Sequence, residues 1–194
     1  PSSVIEINDH FLYVPSCKNI TIKPNKNKSY ISILNDEIIA KKSDINSDVF
    51  DVLVGVFSNV EELKVPSSIK KIAPYSFYRN HNIKSVEFAE NSELNFIEEN
   101  AFQWSHIHNF KIPPHVVRIG DDAFDGCEEI ESIQFSEDSE IQFIGKNFLS
   151  YSPVKKVSIP SRILSNLSFS LFGEISRLNE VSILSNDGSC ILYE

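Results

Sequence analysis

Apolar residues recur along most of the chain with a period of 23 to 24 residues. Each unit opens with apolar residues at positions i, i+3 and i+5, as in Ile130, Ile133 and Phe135. The units begin at residues 60, 83, 107, 130, 154 and 178. A period and spacing of this kind are typical of a solenoid in which every repeat forms one coil.

Alternation of apolar and polar residues within each unit predicts a short strand. In the fourth unit, Ile133 and Phe135 should point inward, whereas residues 132, 134 and 136 should point outward. One such strand buries little surface by itself, so successive coils must pair their strands into a parallel sheet. The pattern therefore predicts a mainly β or α/β right-handed coil of about five to six repeats.

A phenylalanine late in each unit predicts an aromatic ladder inside the solenoid. The chain contains 14 Phe residues but only one Trp and six Gly residues. The ladder phenylalanines are separated by 25, 22, 24 and 24 residues and are Phe77, Phe102, Phe124, Phe148 and Phe172. Each buried ring should contribute ~1.5 to 3 kcal/mol, which explains why Phe is so frequent.

Residues 1–58 show no clear repeat, and residues 59–194 are expected to form the solenoid with a C-terminal end segment. The first segment is interpreted as an N-terminal cap or as diverged first coils. We favour the cap, because a solenoid exposes its end strand and needs a cover.

Local patterns predict several elements at the two ends of the chain. Alternation indicates strands at 20–23 and 30–34 around a polar turn at 24–29. The apolar residues of 49–57 recur at i, i+3, i+4 and i+7, which predicts an amphipathic helix begun by Ser47 or Asp48. Near the C-terminus, a turn at 185–188 precedes a strand at 191–193, which closes the array unless the array continues in a longer protein.

The best-preserved unit runs from Phe110-Lys-Ile-Pro through Val116, Ile119-Gly120 and Ala123-Phe124 to Gly126-Cys127. It resembles the BspA-like branch of the leucine-rich repeat family, whose units look like L-x-x-I-x-I-P-x-S-V-x-x-I-G-x-x-A-F-x-G-C. The resemblance covers residues from about 60 to about 185 and implies a leucine-rich repeat solenoid.

The chain departs from this family pattern at several glycines. The glycine of the I-G pair remains only at Gly120 and Gly145, and the Gly-Cys pair remains only once, at residues 126–127. The resemblance places Cys127 in the interior. It further implies a surface protein of the kind that bacteria and anaerobic protists use to adhere to host cells or matrix.

Charge and hydropathy exclude two classes of partner. The chain has 18 Lys and Arg residues against 27 Asp and Glu residues, a net charge of -9, which disfavours binding to nucleic acid. No apolar run reaches the roughly 18 residues of a membrane span, and the first residues lack the features of a signal peptide. The expected location is the cell surface or the exterior by resemblance, or the cytoplasm if this is the complete chain.

Three cysteines, Cys17, Cys127 and Cys190, fit neither a disulfide framework nor a zinc pattern. Free thiols are the favoured interpretation, and a single bridge between Cys17 and Cys190 is the alternative.

Histidines and aspartates supply the remaining candidates for chemistry. The imidazoles of His81, His106, His108 and His115 could gather on one edge, although solvated loop residues are the favoured interpretation. The stretch Asp121-Asp122-x-x-Asp125 resembles a calcium loop only superficially and is expected to be an exposed turn. No hydrolase, P-loop or zinc-protease motif is present, so no enzyme activity, metal or cofactor is expected. Acceptor patterns for N-glycosylation occur at Asn19, Asn27 and Asn166.

The outward, concave face of the sheet is therefore the predicted binding surface. Its two rows of side chains are Glu62, Ser85, Asn109, Ser132, Lys156, Glu180 and Lys64, Glu87, Lys111, Gln134, Ser158, Ser182. Lys64, Glu87 and Lys111 should form a ladder of alternating charge on neighbouring strands. The expected partner is a protein or a glycan, bound by an adhesion protein or, alternatively, by an intracellular scaffold; the oligomeric state is not indicated.

Overall fold

The computed structural model describes residues 30–57, 59–166, 178–185 and 190–193. The chain forms a β-solenoid of about five turns, as the period predicts. Most coils place one strand in each of two seven-stranded sheets. The first sheet holds β1 (Ile31–Leu34), β2 (Ile38–Lys41), β3 (Val52–Val56), β5 (Lys71–Ile72), β7 (Phe96–Ile97), β9 (Arg118–Ile119) and β11 (Phe143–Ile144). The second holds β4 (Glu62–Val65), β6 (Ser85–Phe88), β8 (Asn109–Ile112), β10 (Ser132–Phe135), β12 (Lys156–Pro160), β13 (Glu180–Leu184) and β14 (Cys190–Tyr193).

The second sheet contains the strands that the i, i+3, i+5 spacing predicts. Its strands from β4 to β13 run parallel and in register, so that Ser132 lies beside Asn109 on one side and Lys156 on the other. Ile133 and Phe135 are buried whereas Gln134 is exposed, which confirms the predicted inward and outward directions. The inward residues belong to one continuous apolar core.

Three of the predicted ladder phenylalanines stack face to face. The ring centroids of Phe77 and Phe102 lie 4.4 Å apart, and those of Phe102 and Phe124 lie 4.8 Å apart. Phe110, from β8, meets both Phe102 and Phe124 edge-on at 4.9 Å. The contact of this strand residue with two stacked rings joins the ladder to the second sheet.

The prediction for Phe148 is wrong by one residue. The N–H of Phe102 donates to the carbonyl of Ala123, and the N–H of Phe124 donates to the carbonyl of Phe148, so Phe148 occupies the place of Ala123 in the next coil. Leu149, which is fully buried, therefore holds the ladder position. The offset of 25 residues that pairs β11 with β9 continues through the turn and places Leu149 opposite Phe124, so the phenylalanine of this coil comes one residue early. Phe148 consequently meets Phe124 edge-on at 5.5 Å, and Phe172 lies outside the described residues.

A second interior ladder is polar and contains the cysteine. Ser105, Cys127 and Ser152 hold the same position in successive coils. The thiol of Cys127 donates to the carbonyl of Phe102 at 3.0 Å, just as the hydroxyl of Ser152 donates to that of Phe124 at 2.8 Å. Cys127 is buried and free, so its predicted interior position is confirmed, whereas Cys17 lies outside the described residues.

The predicted helix at 49–57 is wrong, because this segment forms β3. Its residues Val-Leu-Val-Gly-Val pair with β2 in antiparallel orientation and with β5 in parallel orientation. The strand is buried along nearly its whole length, so it lacks the alternation that would have distinguished it from a helix. Ser47 begins no helix; its hydroxyl accepts the N–H of Val49 at 3.0 Å in a local turn.

The predicted strands at 30–34 and 191–193 are confirmed as β1 and β14. The strand at 20–23, the turn at 24–29 and most of the turn at 185–188 lie outside the described residues. A six-residue 3-10 helix, Ser161–Asn166, follows β12. The division of the chain at residue 58 stays a prediction. In the described part of the chain, no helix has the length and apolar character needed to cross a membrane.

Candidate interaction surface

The outward face of the second sheet carries three parallel rows of side chains. Two are the predicted rows, here called row 2, which begins at Glu62, and row 3, which begins at Lys64. The third, row 1, lies one residue before each strand and consists of Glu61, Lys84, His108, Glu131, Lys155 and Asn179. Its members are linked by backbone hydrogen bonds from each residue to its counterpart in the preceding coil. Sequence reasoning missed row 1, although the repeat period assigns its residues as directly as those of rows 2 and 3.

Rows 1 and 2 are largely self-paired. Lys84 and Glu61 in row 1 lie 2.6 Å apart, and Lys155 and Glu131 lie 3.5 Å apart. In row 2, Lys156 and Glu180 lie 2.6 Å apart, and the hydroxyl of Ser132 donates to Asn109 Oδ1 at 2.7 Å. These pairs cross between coils and hold neighbouring strands in register.

The ion pair between Lys84 and Glu61 shifts the pKa values of the two groups in opposite directions. The hydrogen bond from Lys84 lowers the pKa of Glu61, and the same bond raises the pKa of Lys84. Both side chains are open to solvent, so the pair contributes little to stability.

Row 3 holds one weak ion pair and one cation without an ion pair in the described residues. Lys64 and Glu87 lie 4.0 Å apart with side chains 85% and 68% exposed, which confirms only the first half of the predicted ladder. Among the residues that the structure describes, Lys111 has no ion pair; its neighbour across the strand boundary is Gln134. A cation of this kind is available to an external partner.

A cavity of about 460 Å³ opens at the ends of β8, β10 and β12. Its lining includes His108, Glu129, Glu131 and Lys155, so it adjoins row 1. The two oxygens of Glu129 contact His106 Nδ1 at 3.0 Å and His108 Nε2 at 2.6 Å. The hydrogen bond from His108 lowers the pKa of Glu129.

The structure brings three of the four predicted histidines together. The rings of His81 and His106 lie 4.4 Å apart, and His108 shares the carboxylate of Glu129 with His106. His115 instead contacts Glu140 at 3.1 Å. Within the described ranges, no three His, Cys, Asp or Glu side chains are placed to hold a metal ion.

The aspartates of 121–125 bridge coils. Asp121 accepts the backbone N–H of Lys146 at 3.0 Å, and Asp122 accepts the side-chain amide of Asn147 at 3.1 Å. Asp125 accepts the side-chain amide of Gln103 at 2.8 Å, and burial raises the pKa of its carboxyl group. These carboxylates form hydrogen bonds between neighbouring coils and so stabilise the repeat structure. Of the glycosylation candidates, Asn166 ends the 3-10 helix, and Asn19 and Asn27 lie outside the described residues.

Two solved structures resemble the chain at low sequence identity. The crystal structure of the pneumococcal vaccine antigen PcpA superposes with a TM-score of 0.65 at 18% identity, over 87% of this chain and 55% of that one. A leucine-rich cell surface protein from Faecalibacterium prausnitzii A2-165 gives a TM-score of 0.48 at 12% identity, over 92% of this chain and 59% of that one. The chain thus spans little more than half the length of either protein, and the likeness to PcpA is one of fold.

Comparison by sequence gives a family. No curated protein matches the chain significantly. The profile described as BspA type Leucine rich repeat region matches in six copies over residues 1–105 and 95–189. Repeats of this kind indicate a protein-interaction module, and such families are typically non-catalytic. The chain belongs to the BspA-type leucine-rich repeat family.

Proposed function

We propose that this chain is the recognition module of a cell-surface or secreted adhesion protein and that it binds a host or matrix protein through the outward face of its second sheet. The observation that carries the proposal is the register of rows 2 and 3. Every coil presents two side chains to the outside, while their strand neighbours fill the core. Such a surface is extended, polar and rigid, which suits a protein partner.

Lys111, which has no ion pair among the described residues, gives this surface a specific position at which an acidic group of a partner can bind. Lys111 lies on β8, between Lys64 and Glu87 on one side and Gln134 on the other. An acidic side chain of a partner could pair with Lys111, because the row 3 carboxylate on the preceding strand, Glu87, pairs with Lys64. Rim charges of this kind act mainly on association rate and on the salt dependence of binding.

A non-catalytic role agrees with the state of the Cys127 thiol. Burial raises the pKa of Cys127 to about 12, so its thiol is protonated at neutral pH. The His106 and His108 rings are held by Glu129, and the adjoining cavity contains neither a Ser nor a Cys in its lining.

Charge reversal at Lys111 tests the binding face. The labelled Lys111→Glu chain is expected to bind cultured epithelial cells or immobilised matrix protein about three- to tenfold more weakly than the unmodified chain. Its melting temperature should change little, because Lys111 has no ion pair within the described residues that the reversal would break. Lys156 is a poorer choice, because its reversal would also break its 2.6 Å ion pair with Glu180.

Lys146→Glu is the matched control, because Lys146 is exposed and lies outside the strands of the second sheet. It makes the same change in net charge and should leave binding unchanged. Equal binding by the Lys111→Glu and unmodified chains would move the site away from this face.

Labelling of intact cells tests the location. A membrane-impermeant amine reagent, applied to cells that make the full-length protein, is expected to label it before lysis. Labelling only after lysis would contradict the adhesion proposal and favour an intracellular scaffold that uses the same surface.

A further inference from the structure

A second cavity, of about 430 Å³, lies at the N-terminal end of the solenoid on the side of the first sheet. Its lining includes Lys41, Lys42, Ser43, Lys71, Glu98 and Glu99, contributed by the residues around β2, β5 and β7. Its volume falls in the range of about 300 to 1,000 Å³ that is usual for small-molecule sites. It shares no lining residue with the cavity beside row 1.

Lys42 is the unusual residue of this cavity. Its side chain is buried, with a relative exposure of 3%, yet no carboxylate lies within ion-pairing distance of it in the described part of the chain. Its ammonium lies 5.1 Å from the centroid of the Phe50 ring. Buried ammonium groups are usually paired, because loss of water around a charge is costly.

Two acids at or beside the cavity are already satisfied by other groups. Asp51 accepts the backbone N–H of Ser43 at 2.8 Å and the Ser43 hydroxyl at 2.6 Å. Glu98 pairs with Lys71 at 2.9 Å. Neither carboxylate neutralises Lys42, so the protein itself leaves this positive charge uncompensated.

The ammonium of Lys42 keeps access to the cavity. Within the described structure, the Ser150 hydroxyl is the only fully enclosed side-chain nitrogen or oxygen group without a hydrogen-bond partner. The Lys42 ammonium has no hydrogen-bond partner there either, yet it is not among the fully enclosed groups, so part of it must remain accessible. The cavity that Lys42 lines provides this accessible space. A buried cation at the wall of a cavity is a ready partner for a carboxylate.

The rest of the lining favours a ligand with hydroxyl groups. Glu99 is exposed at the cavity and has no ion pair among the described residues, so its carboxylate can accept hydrogen bonds from a ligand. A second anionic group near Glu99 would be repelled. We propose that this cavity binds an acidic monosaccharide, with the sugar carboxylate on Lys42 and sugar hydroxyls toward Glu99. This site is separate from the face of the second sheet and does not depend on the function proposed for that face.

Titration with glucuronate, monitored by calorimetry and by amide NMR shifts, tests the site on the complete 194-residue chain. Saturable binding is expected, with shifts concentrated at Ser43 and Ala73, which line the cavity. Glucose, which has the same ring without the carboxylate, should bind at least about tenfold more weakly. Equal binding of the two sugars, no saturable binding, or shifts located elsewhere would each overturn the proposal.

Lys42→Met separates ligand binding from folding. Met nearly matches the length of Lys, so the variant should bind glucuronate at least about tenfold more weakly while melting at the same or a higher temperature, because it removes an unpaired buried cation. Lys146→Met, which removes an exposed charge outside the cavity, should bind like the unmodified chain. Unchanged affinity in Lys42→Met, or a clearly lower melting temperature, would overturn the proposal.

Discussion

At the residue scale, one turn position recurs in successive coils and is occupied by Arg79, Trp104, Gly126 and Tyr151. All four residues have positive φ, between 53° and 63°, which only glycine adopts without strain. At Gly126 the absence of a Cβ has a second effect, because a Cβ would lie 2.0 Å from the Trp104 indole. The guanidinium carbon of Arg79 also lies 4.2 Å from the centroid of the Trp104 ring. Glycine in one coil thus provides the space for an aromatic ring from the coil before it.

Cys127 gives a pH-dependent prediction at the same scale. Burial raises its pKa to about 12 in the folded chain, against about 8.5 for an exposed thiol. The folded state therefore holds the proton more tightly, so this contribution to stability is complete below about pH 8.5 and is lost as pH rises toward 12. Cys127→Ser should unfold with a smaller loss of stability between pH 8.5 and 10.5, measured by urea denaturation of both proteins.

The serine variant is a fair comparison because Ser152 already makes the same carbonyl hydrogen bond one coil later. Lysines and tyrosines titrate in both proteins, so the difference between them isolates the thiol. Parallel pH profiles would show that the thiol is not shielded, as would rapid alkylation of Cys127 itself, identified by peptide mapping, when the native protein is treated with iodoacetamide at pH 8.

At the scale of the element, the strands of the second sheet were predictable and β3 was not. Alternation such as Glu62-Leu63-Lys64-Val65 assigns one face to the core, and the period then sets the register of every later strand. In β3, apolar residues occupy both faces, and their spacing fits a helix as well as a buried strand. Only pairing with β2 and β5 decides between them, and pairing with distant segments is not visible in a local pattern.

The ladder position of Leu149 escaped prediction for a related reason. Alignment by phenylalanine favours Phe148, whereas the backbone register fixed by Ile119 and Ile144 places Leu149 in line with Phe124. The Lys42 cavity depends on three separate coils and has no sequence motif at all. By contrast, rows 1 to 3 follow from the period alone, because each row is one residue per coil.

Phe124→Ala should show how much the aromatic ladder contributes. The ring is fully buried between Phe102 on one side and Phe148 on the other, with Phe110 packed edge-on. Its removal should lower the free energy of unfolding by about 3 to 5 kcal/mol, measured by urea denaturation.

Phe143→Ala is the control for this change, because Phe143 is 42% exposed and lies on β11 with Arg118 above its ring. It should cost no more than about 1 kcal/mol. Similar losses for the two variants would mean that the stack adds little beyond the removal of any aromatic ring.

At the scale of the whole molecule, the core is continuous but its depth varies along the solenoid. The inward residues of β8 and β10 are buried, whereas every residue of β1 and of β13 is only partly buried. Repeat proteins gain much of their stability from contacts between neighbouring coils, so coils with a full neighbour on both sides should open least often.

Hydrogen exchange followed by mass spectrometry should therefore find the slowest backbone amides in β8 and β10. Exchange should become faster toward β1 and β13, although the backbone of each of these strands is paired. Phe124→Ala should accelerate exchange most in β8 and β10, because Phe110 of β8 packs against the lost ring and the two strands share a register. Acceleration by one factor throughout the described strands would instead indicate that the coils unfold as a single unit, and that the second sheet offers a partner a uniformly rigid face.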